Sequence, residues 1–395
     1  MSRRNFNFNE YPPQYNDIKD VFLPLSLFKR LSQENSLEDK GNSKISTDLN
    51  DLSKDTVIIY PPTIDWHWMK QRPQQLMEQF ARHGFEVYFC SLKQSENISN
   101  TLIEPNLYLV HDNKKFITDT IPSLKRKGKR ILIWVSWSKL CIFLEQYRPD
   151  FIIYDYLDDF AHWALYLDIM VNRADMVVAT SGILKRQIEK KYPYKPNYLI
   201  PNGCDIRHFQ KFRNETPEKP KEFSNHNGPI ICYVGAWASW VDHELVKKIA
   251  RTYPHALLVT LGVEFSPRVD NRFITNIKHL GHIPYDDLPR YLYYADICII
   301  PFKINDITLA TNPIKMYEYL AAGKPVVSSN LPEARNIPYV SIGKDHRSFI
   351  QQVGNNLSHS VRFDIKEVNN WLMQHTWECR YESIVQAVSC NLKNK

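Results

Sequence analysis

Two groups of side chains in this sequence have the types and spacing to do chemistry. In "ATNPIKMYEYLAAGKPVV", Ala310 to Val327, Asn312 suits a helix N-cap and Pro313 the first helical position. Lys315 then falls at N3, where a glutamate would ordinarily complement the macrodipole. A cation there is locally unfavourable. The conflict disappears if an anion occupies the helix start, because the free amides of Ile314, Lys315 and Met316 together with the ammonium form a cradle of phosphate size. Glu318 lies three residues on, on the same face; the alternative is an ordinary crossover helix with a surface Lys315 to Glu318 pair. The second group is Asp65, His67 and Arg72 in "IDWHWMKQRP", with Asp155, Asp158 and Asp159 in "YDYLDDF". Loop hydrogen bonding is the alternative for Asp65 and His67, and Arg72, beside Pro73 at a helix start, is open to a structural or a binding role. No metal site is expected from "YDYLDDF", since three carboxylates without other ligands are usually solvated.

The elements that must position these groups follow an α/β pattern, short apolar strands alternating with periodic helices. A first array has strands near 57–60, 86–90, 131–135, 151–155, 176–180 and 197–200 and a helix from Pro73 to His83 that buries Leu76, Met77, Phe80 and Ala81. A second has strands near 230–235, 256–262, 297–302 and 325–329 and helices at 243–251, 286–295 and 313–322, the last ending at Gly323. The polar, turn-rich stretch from Gly203 to Gly228 separates them. The expected architecture is two Rossmann-like, doubly wound domains facing a cleft, with ligands at strand carboxyl ends. Those ends carry Thr63 to Arg72, Asp155 to Asp159, Gly235 to Asp242 and Pro301 to Lys315.

Composition narrows the function class. The 395 residues, 43% hydrophobic and 24% charged, suit a globular chain of two or three domains. Neither half has a G-x-G-x-x-G fingerprint after its first strand and the chain holds only 12 glycines, which disfavours a dinucleotide oxidoreductase; there is no P-loop. Seven scattered cysteines suggest neither a disulfide framework nor a zinc site and fit a reducing cytosol. No apolar run approaches a bilayer span, and "MSRRNFNFNEYPPQYND" has no apolar core behind its arginines, so no signal peptide is expected. The net charge of +7 points to an anionic partner, with "KRKGKR", Lys125 to Arg130, the densest cluster. A solvated loop is the plain alternative. Nucleic acid is not expected, because no binding motif accompanies the cluster, whereas peripheral contact with an anionic membrane is. Residues 1–54 read as an extension with a linker over Ser32 to Lys54, interrupted by an amphipathic island, Asp17 to Leu31, kinked at Pro24 and either docked on the body or lying on a membrane.

Four segments in order, "VVATSGILKRQI" with "IPNGCDIRHF", "YVGAW", "LGHIPYDDLPRYLYYADICIIPF" and "NPIKMYEYLAAGKPVVSS", resemble the retaining GT-B glycosyltransferases of the family 4 type. The stretch "IDWHWMKQRPQQLMEQFARHGFEVYFCS" is similar to teichuronic acid biosynthesis glycosyltransferases of Gram-positive bacteria. The resemblance implies an acceptor domain over 55–205, a nucleotide-sugar domain over 206–370 and a final helix, 371–395, returning to the first. It also implies a nucleotide diphosphate sugar donor, a uridine one by preference, a glycan or lipid-linked acceptor, no cofactor and no metal. Glu318 matches the second glutamate of the family's Glu-x7-Glu pair, whose carboxylate accepts ribose hydroxyls; the first would be at Ala310. The family's arginine and lysine after the domain's first glycine are replaced by Ala236 and Val241, leaving Lys315 as the nearest phosphate cation.

On that resemblance Lys315 and Asp158 are the expected catalytic residues. Gly235, Trp237, Asp242, His282, Asn312, Pro313, Ile314, Lys315 and Glu318 are expected on the donor, and Asp65, His67, Arg72 and Asp155 on the acceptor. Trp66, Trp68, Trp137, Trp163, Trp237 and Trp240 offer faces for sugar stacking or simply pack in the core. Trp377, Tyr381, Ile384 and Val388, at helical spacing, read as core. The missing glutamate and cations keep two alternatives open: a catalytically silent GT-B subunit and a sugar-nucleotide epimerase or hydrolase.

Overall fold

The computed structural model describes residues 18, 20–34, 49–95, 98–160, 163–265, 274–359 and 363–392. They form two compact units: described residues up to Pro201 together with those from Glu378 on, and Asn202–Trp377.

The first unit is an eight-stranded sheet of β1 (Thr56–Tyr60), β2 (Glu86–Cys90), β3 (Asn100–Glu104), β4 (Leu107–Val110), β5 (Arg130–Val135), β6 (Phe151–Tyr156), β7 (Met176–Ala179) and β8 (Asn197–Leu199), in the order β3-β4-β2-β1-β5-β6-β7-β8. Every pairing is parallel except β3 with β4. β1 is buried at every residue, as a parallel strand covered on both faces must be. The helix Arg72–Arg82 buries Leu76, Met77, Phe80 and Ala81. Phe80 meets Phe85 and, at 5.3 Å, Tyr381 of the final helix, Trp377–Leu392, whose residues from Glu378 on belong to this unit.

The second unit holds β9 (Ile230–Val234), β10 (Leu257–Leu261), β11 (Ile277–His279), β12 (Ile297–Ile300), β13 (Val326–Ser329) and β14 (Val340–Gly343) in the all-parallel order β11-β10-β9-β12-β13-β14. That is the doubly wound 3-2-1-4-5-6 order, whose switch point lies between β9 and β12. Alternation along β9 sends Ile230, Cys232 and Val234 to one apolar layer and Ile231 and Tyr233 to the other.

Several expected elements change. The helix expected at 286–295 is a 3-10 turn, Tyr285–Asp287, followed by Leu288–Tyr293, because Pro289 is tolerated only in a first helical turn. β3, β11 and β14 carried no apolar run. Of the linker expected from Ser32 to Lys54, Ser32–Glu34 and Leu49–Lys54 are helical, and 35–48 lie outside the described residues, as does the start "MSRRNFNFNEYPPQYND". The island divides at Pro24. Val21, Phe22 and Leu23 are buried, with Phe22 stacked on Phe143 at 4.4 Å and the Leu23 amide donating to Gln146, while Leu25–Glu34 forms a helix with Leu25 and Leu27 exposed. The basic cluster closes the helix Ile121–Arg126, where cations complement the macrodipole; Lys125 pairs with Asp150 at 2.5 Å and Lys129 donates to the Lys54 carbonyl. Among the described residues, no helix is long and apolar enough to cross a membrane.

Candidate functional site

In the second unit the loops after β9 and β12 meet at the switch point. The Asp242 amide donates to the Pro301 carbonyl at 2.7 Å, and Val241 and Phe302 form an isolated antiparallel bridge. Gly235 opens the first loop directly after β9. Tyr319, on the helix Ile314–Ala321, accepts the Val234 amide with its hydroxyl at 2.7 Å, which fixes that helix to the end of β9. Gly323 ends it, at a φ of 72° that a side chain would strain.

Lys315 and Glu318 are not the surface pair of the plain alternative. Glu318 is 1% exposed, and its Oε2 accepts from Lys315 Nζ at 2.5 Å. Its Oε1 is buried with no hydrogen-bond partner. Burial pushes the Glu318 carboxyl above its ordinary 4.5, against the pull of the Lys315 ammonium. A buried carboxylate with one oxygen held and the other open can accept a hydroxyl from a ligand, and an unmet acceptor of this kind is costly unless something fills it.

The helix start differs from the expectation. Pro313 itself is the N-cap residue, at φ −68° and ψ 110°, so Ile314 is N1 and Lys315 is N2. Asn312 caps nothing. It is 3% exposed, its Oδ1 accepts the Asn202 amide at 3.0 Å, and its Nδ2 donates to the Tyr317 hydroxyl and to Glu333. The Met316 amide is bonded to the Pro313 carbonyl at 3.2 Å, so the cradle reduces to the amides of Ile314 and Lys315 plus the ammonium.

Other donor-side residues are engaged by the protein. Asp242 caps the helix His243–Thr252, accepting the Leu245 amide at 2.9 Å on Oδ1, and its Oδ2 lies 2.7 Å from His346 Nε2; both oxygens are taken. Trp237 is 3% exposed, with one face stacked on His243 at 4.3 Å and His279 edge-on at 4.7 Å, so the core alternative describes it. His282 is exposed on the loop after β11. Val241 and Ala310, which stand where the family has a lysine and a glutamate, are buried core side chains. Two residues that sequence reasoning did not assign lie at the switch point. Lys303 donates from Nζ to the Ser239 carbonyl at 2.8 Å, and His243 has a buried Nε2 with no partner. "PFK" directly after a strand was the available signal for Lys303.

In the first unit, Arg72 and Asp155 face each other instead of an acceptor. Arg72 Nε donates to both Asp155 oxygens at 3.1 and 2.9 Å, Trp134 Nε1 donates to Oδ2 at 3.1 Å, and the two charged residues are 3% and 0% exposed. Asp65 is half-buried and accepts the Lys93 amide at 2.8 Å, the loop-bonding alternative, while His67 is exposed. Asp158 is half-buried beside Asp159, which accepts from Tyr156 and Gln187. Trp137 is buried, and Trp66 packs edge-on to Phe89 at 5.0 Å. Among the described residues, no group of three or more His, Cys, Asp or Glu is placed to hold a metal ion.

Residues 214–337 match the family Glycosyl transferases group 1. A Bacillus subtilis protein provisionally assigned as the teichuronic acid biosynthesis glycosyltransferase TuaH is 23% identical over 302 residues, 68% of this chain and 75% of that protein. Among solved structures, a sucrose-phosphate synthase from Thermosynechococcus elongatus aligns at TM-score 0.66 and 14% identity, over 86% of this chain and all of the other. Anabaena HepE, solved with UDP and glucose, aligns at TM-score 0.62 and 11% identity, over 85% of this chain and 99% of the other. Residues 214–337 of the second unit thus match a group 1 glycosyl transferase domain, and the chain has the GT-B fold of these solved structures.

Proposed function

We propose that the chain transfers a sugar, with retention, from a nucleotide diphosphate sugar of the UDP type to an envelope glycan or its lipid-linked precursor, in teichuronic acid or related polysaccharide synthesis. The observation that carries this is Glu318, buried, with Oε2 on Lys315 and Oε1 without a hydrogen-bond partner. In this reading Oε1 accepts a ribose hydroxyl. The Ile314 and Lys315 amides, the Lys315 ammonium and Lys303 neutralise the departing diphosphate, the charge that develops as the glycosidic bond breaks. The solved relative that holds UDP and glucose supports the donor class, and the Bacillus relative supports the acceptor class. A catalytically silent GT-B subunit is the second reading, favoured by the apolar burial of Val241 and Ala310; nucleotide binding with no turnover selects it.

The test is a thermal-shift panel of nucleotides and nucleotide sugars, followed by UDP titration of wild type and Glu318→Gln. UDP stabilises the wild type, and the variant binds roughly tenfold or more weakly, the size of a lost hydrogen bond to a charged acceptor. Because the ionised carboxylate is the acceptor, affinity falls as pH drops through the Glu318 pKa, which lies above 4.5. Lys315 holds that pKa down, so Lys315→Ala moves the loss to higher pH. The stability contribution runs the other way. A carboxyl raised on folding favours the native state most at low pH and loses that contribution as pH rises. A chain that no nucleotide diphosphate stabilises sinks the donor reading, and the product anomer, read by NMR, decides retention.

Peripheral attachment to an anionic membrane belongs to the same proposal, through the helix Leu25–Glu34, with Leu25, Leu27 and Lys29 exposed, and the exposed Arg126 and Lys127. The attraction is screened over about 8 Å at physiological salt and about 3 Å at 1 M. Co-sedimentation with phosphatidylglycerol vesicles is expected in low salt and lost in high salt; binding indifferent to salt, or none at all, refutes it.

A further inference from the structure

One of the peptides at which the chain passes between the two units, Pro201 to Asn202, is bonded on both of its polar atoms. Its carbonyl accepts from Arg72 Nη1 at 3.1 Å, and Arg72 is itself fixed by Asp155. Its N–H donates to Asn312 Oδ1 at 3.0 Å, and the Asn202 side chain donates to the Asn312 carbonyl at 2.7 Å. The next residues are as constrained. A Cβ on Gly203 would lie 2.9 Å from the His375 carbonyl oxygen, and the Cys204 amide donates to that same carbonyl at 3.0 Å. Unit boundaries ordinarily fall in exposed linkers, so hydrogen bonding this dense along Pro201 to Cys204 calls for a reason.

The reason lies at the other end of these bonds. Asn312 stands two residues before the helix Ile314–Ala321, and Pro313 between them has a fixed φ, so whatever holds Asn312 holds the first turn that carries Lys315. Asn312 reaches no further outward, because its Nδ2 is committed to Tyr317 and Glu333. We infer that Asn312 is a positioning residue: bonded to Asn202 through both its backbone and its side chain, it sets the first turn of the Lys315 helix and does not contact the donor. Asn202 is its support. The kinetic part of this inference rests on the donor reading above; the structural part does not.

The experiment has two arms on the full-length chain. Backbone hydrogen exchange is measured in wild type, Asn312→Ala and Asn202→Ala. Both variants should exchange several-fold faster at Met316 to Glu318, although Asn202 is 110 residues from Asn312 in sequence. A double variant, Asn312→Asp with Glu333→Gln, keeps an acceptor oxygen for the Asn202 amide and avoids two facing carboxylates, and should restore protection. Unchanged exchange at Met316 to Glu318 in Asn202→Ala overturns the inference whether or not any nucleotide binds. The kinetic arm compares kcat with UDP affinity. Asn312→Ala should lower kcat by roughly 10- to 100-fold, the size of a small misplacement near reacting groups, and weaken UDP binding by a clearly smaller factor. Asn202→Ala should act in the same direction, and the pair together should cost no more than Asn312→Ala alone. Weakened UDP binding at unchanged kcat would instead make Asn312 a donor ligand and reject the positioning role. If no nucleotide binds the wild type, the donor reading fails, and the exchange arm still decides this inference.

Discussion

Lys315→Ala is expected to lower turnover by about 10²- to 10³-fold at saturating donor, the size associated with losing one preorganised donor to developing charge. The same substitution has a structural cost, because Lys315 is the ion partner of a buried carboxylate. Leaving Glu318 without it destabilises by about 1–3 kcal/mol, more than an exposed pair would cost. The two effects separate in Lys315→Ala/Glu318→Gln, which removes the stranded charge. Stability should recover toward wild type in denaturant titration while turnover per folded molecule stays low. If Lys315 serves only as counter-ion to Glu318, Lys315→Ala will change nucleotide affinity and its pH dependence yet turn over at the wild-type rate once saturated. That result removes Lys315 from the chemistry.

How much of this was legible in the sequence depends on how far away each residue's partner lies. β1 and β5 were readable because a parallel strand covered on both faces is an unbroken apolar run. β3, largely exposed, and the three-residue β11 have no such run, and only their neighbours in the sheet make them strands. The Lys315–Glu318 spacing was visible because helical neighbours are local, but the burial of Glu318 was not, since burial is set by tertiary packing that helical spacing does not show. Asn312 shows the limit most plainly. Asn before Pro matches a capping pattern, yet the helix begins one residue later, with Pro313 itself at the N-cap, and the Asn312 side chain was claimed by Asn202, 110 positions away. Asp155 shows it again: a carboxylate near the end of a strand suits acceptor binding until its partner, 83 residues earlier, closes on it. Asp242 was legible as a cap from its place before the helix His243–Thr252, and the donor role given to it overlooked that local claim.

Arg72→Ala carries the largest expected effect on stability. Asp155 is fully buried, and with the guanidinium gone its carboxylate keeps the Trp134 indole N–H in place of three donated hydrogen bonds. Breaking a buried pair from one side costs about 3–5 kcal/mol, a large part of the roughly 5–15 kcal/mol that holds a domain folded. The cost should depend on pH in a definite direction. Burial already holds the Asp155 carboxyl above its ordinary 3.8, against the pull of Arg72. Without that pull it rises further, so the variant's deficit is full near neutral pH and shrinks as acid protonates Asp155. Arg72→Ala/Asp155→Asn, which leaves no charge to strand, should be more stable than Arg72→Ala at pH 7 and should lose the pH dependence. Denaturant titration of the three proteins at pH 5 and 7 checks both statements. A deficit under about 1 kcal/mol, the size of an exposed pair, or one that grows on acidification, would mean that solvent reaches Asp155 once the arginine is removed. Arg72 would then be free to be considered again as an acceptor ligand, because its carboxylate partner would not need it.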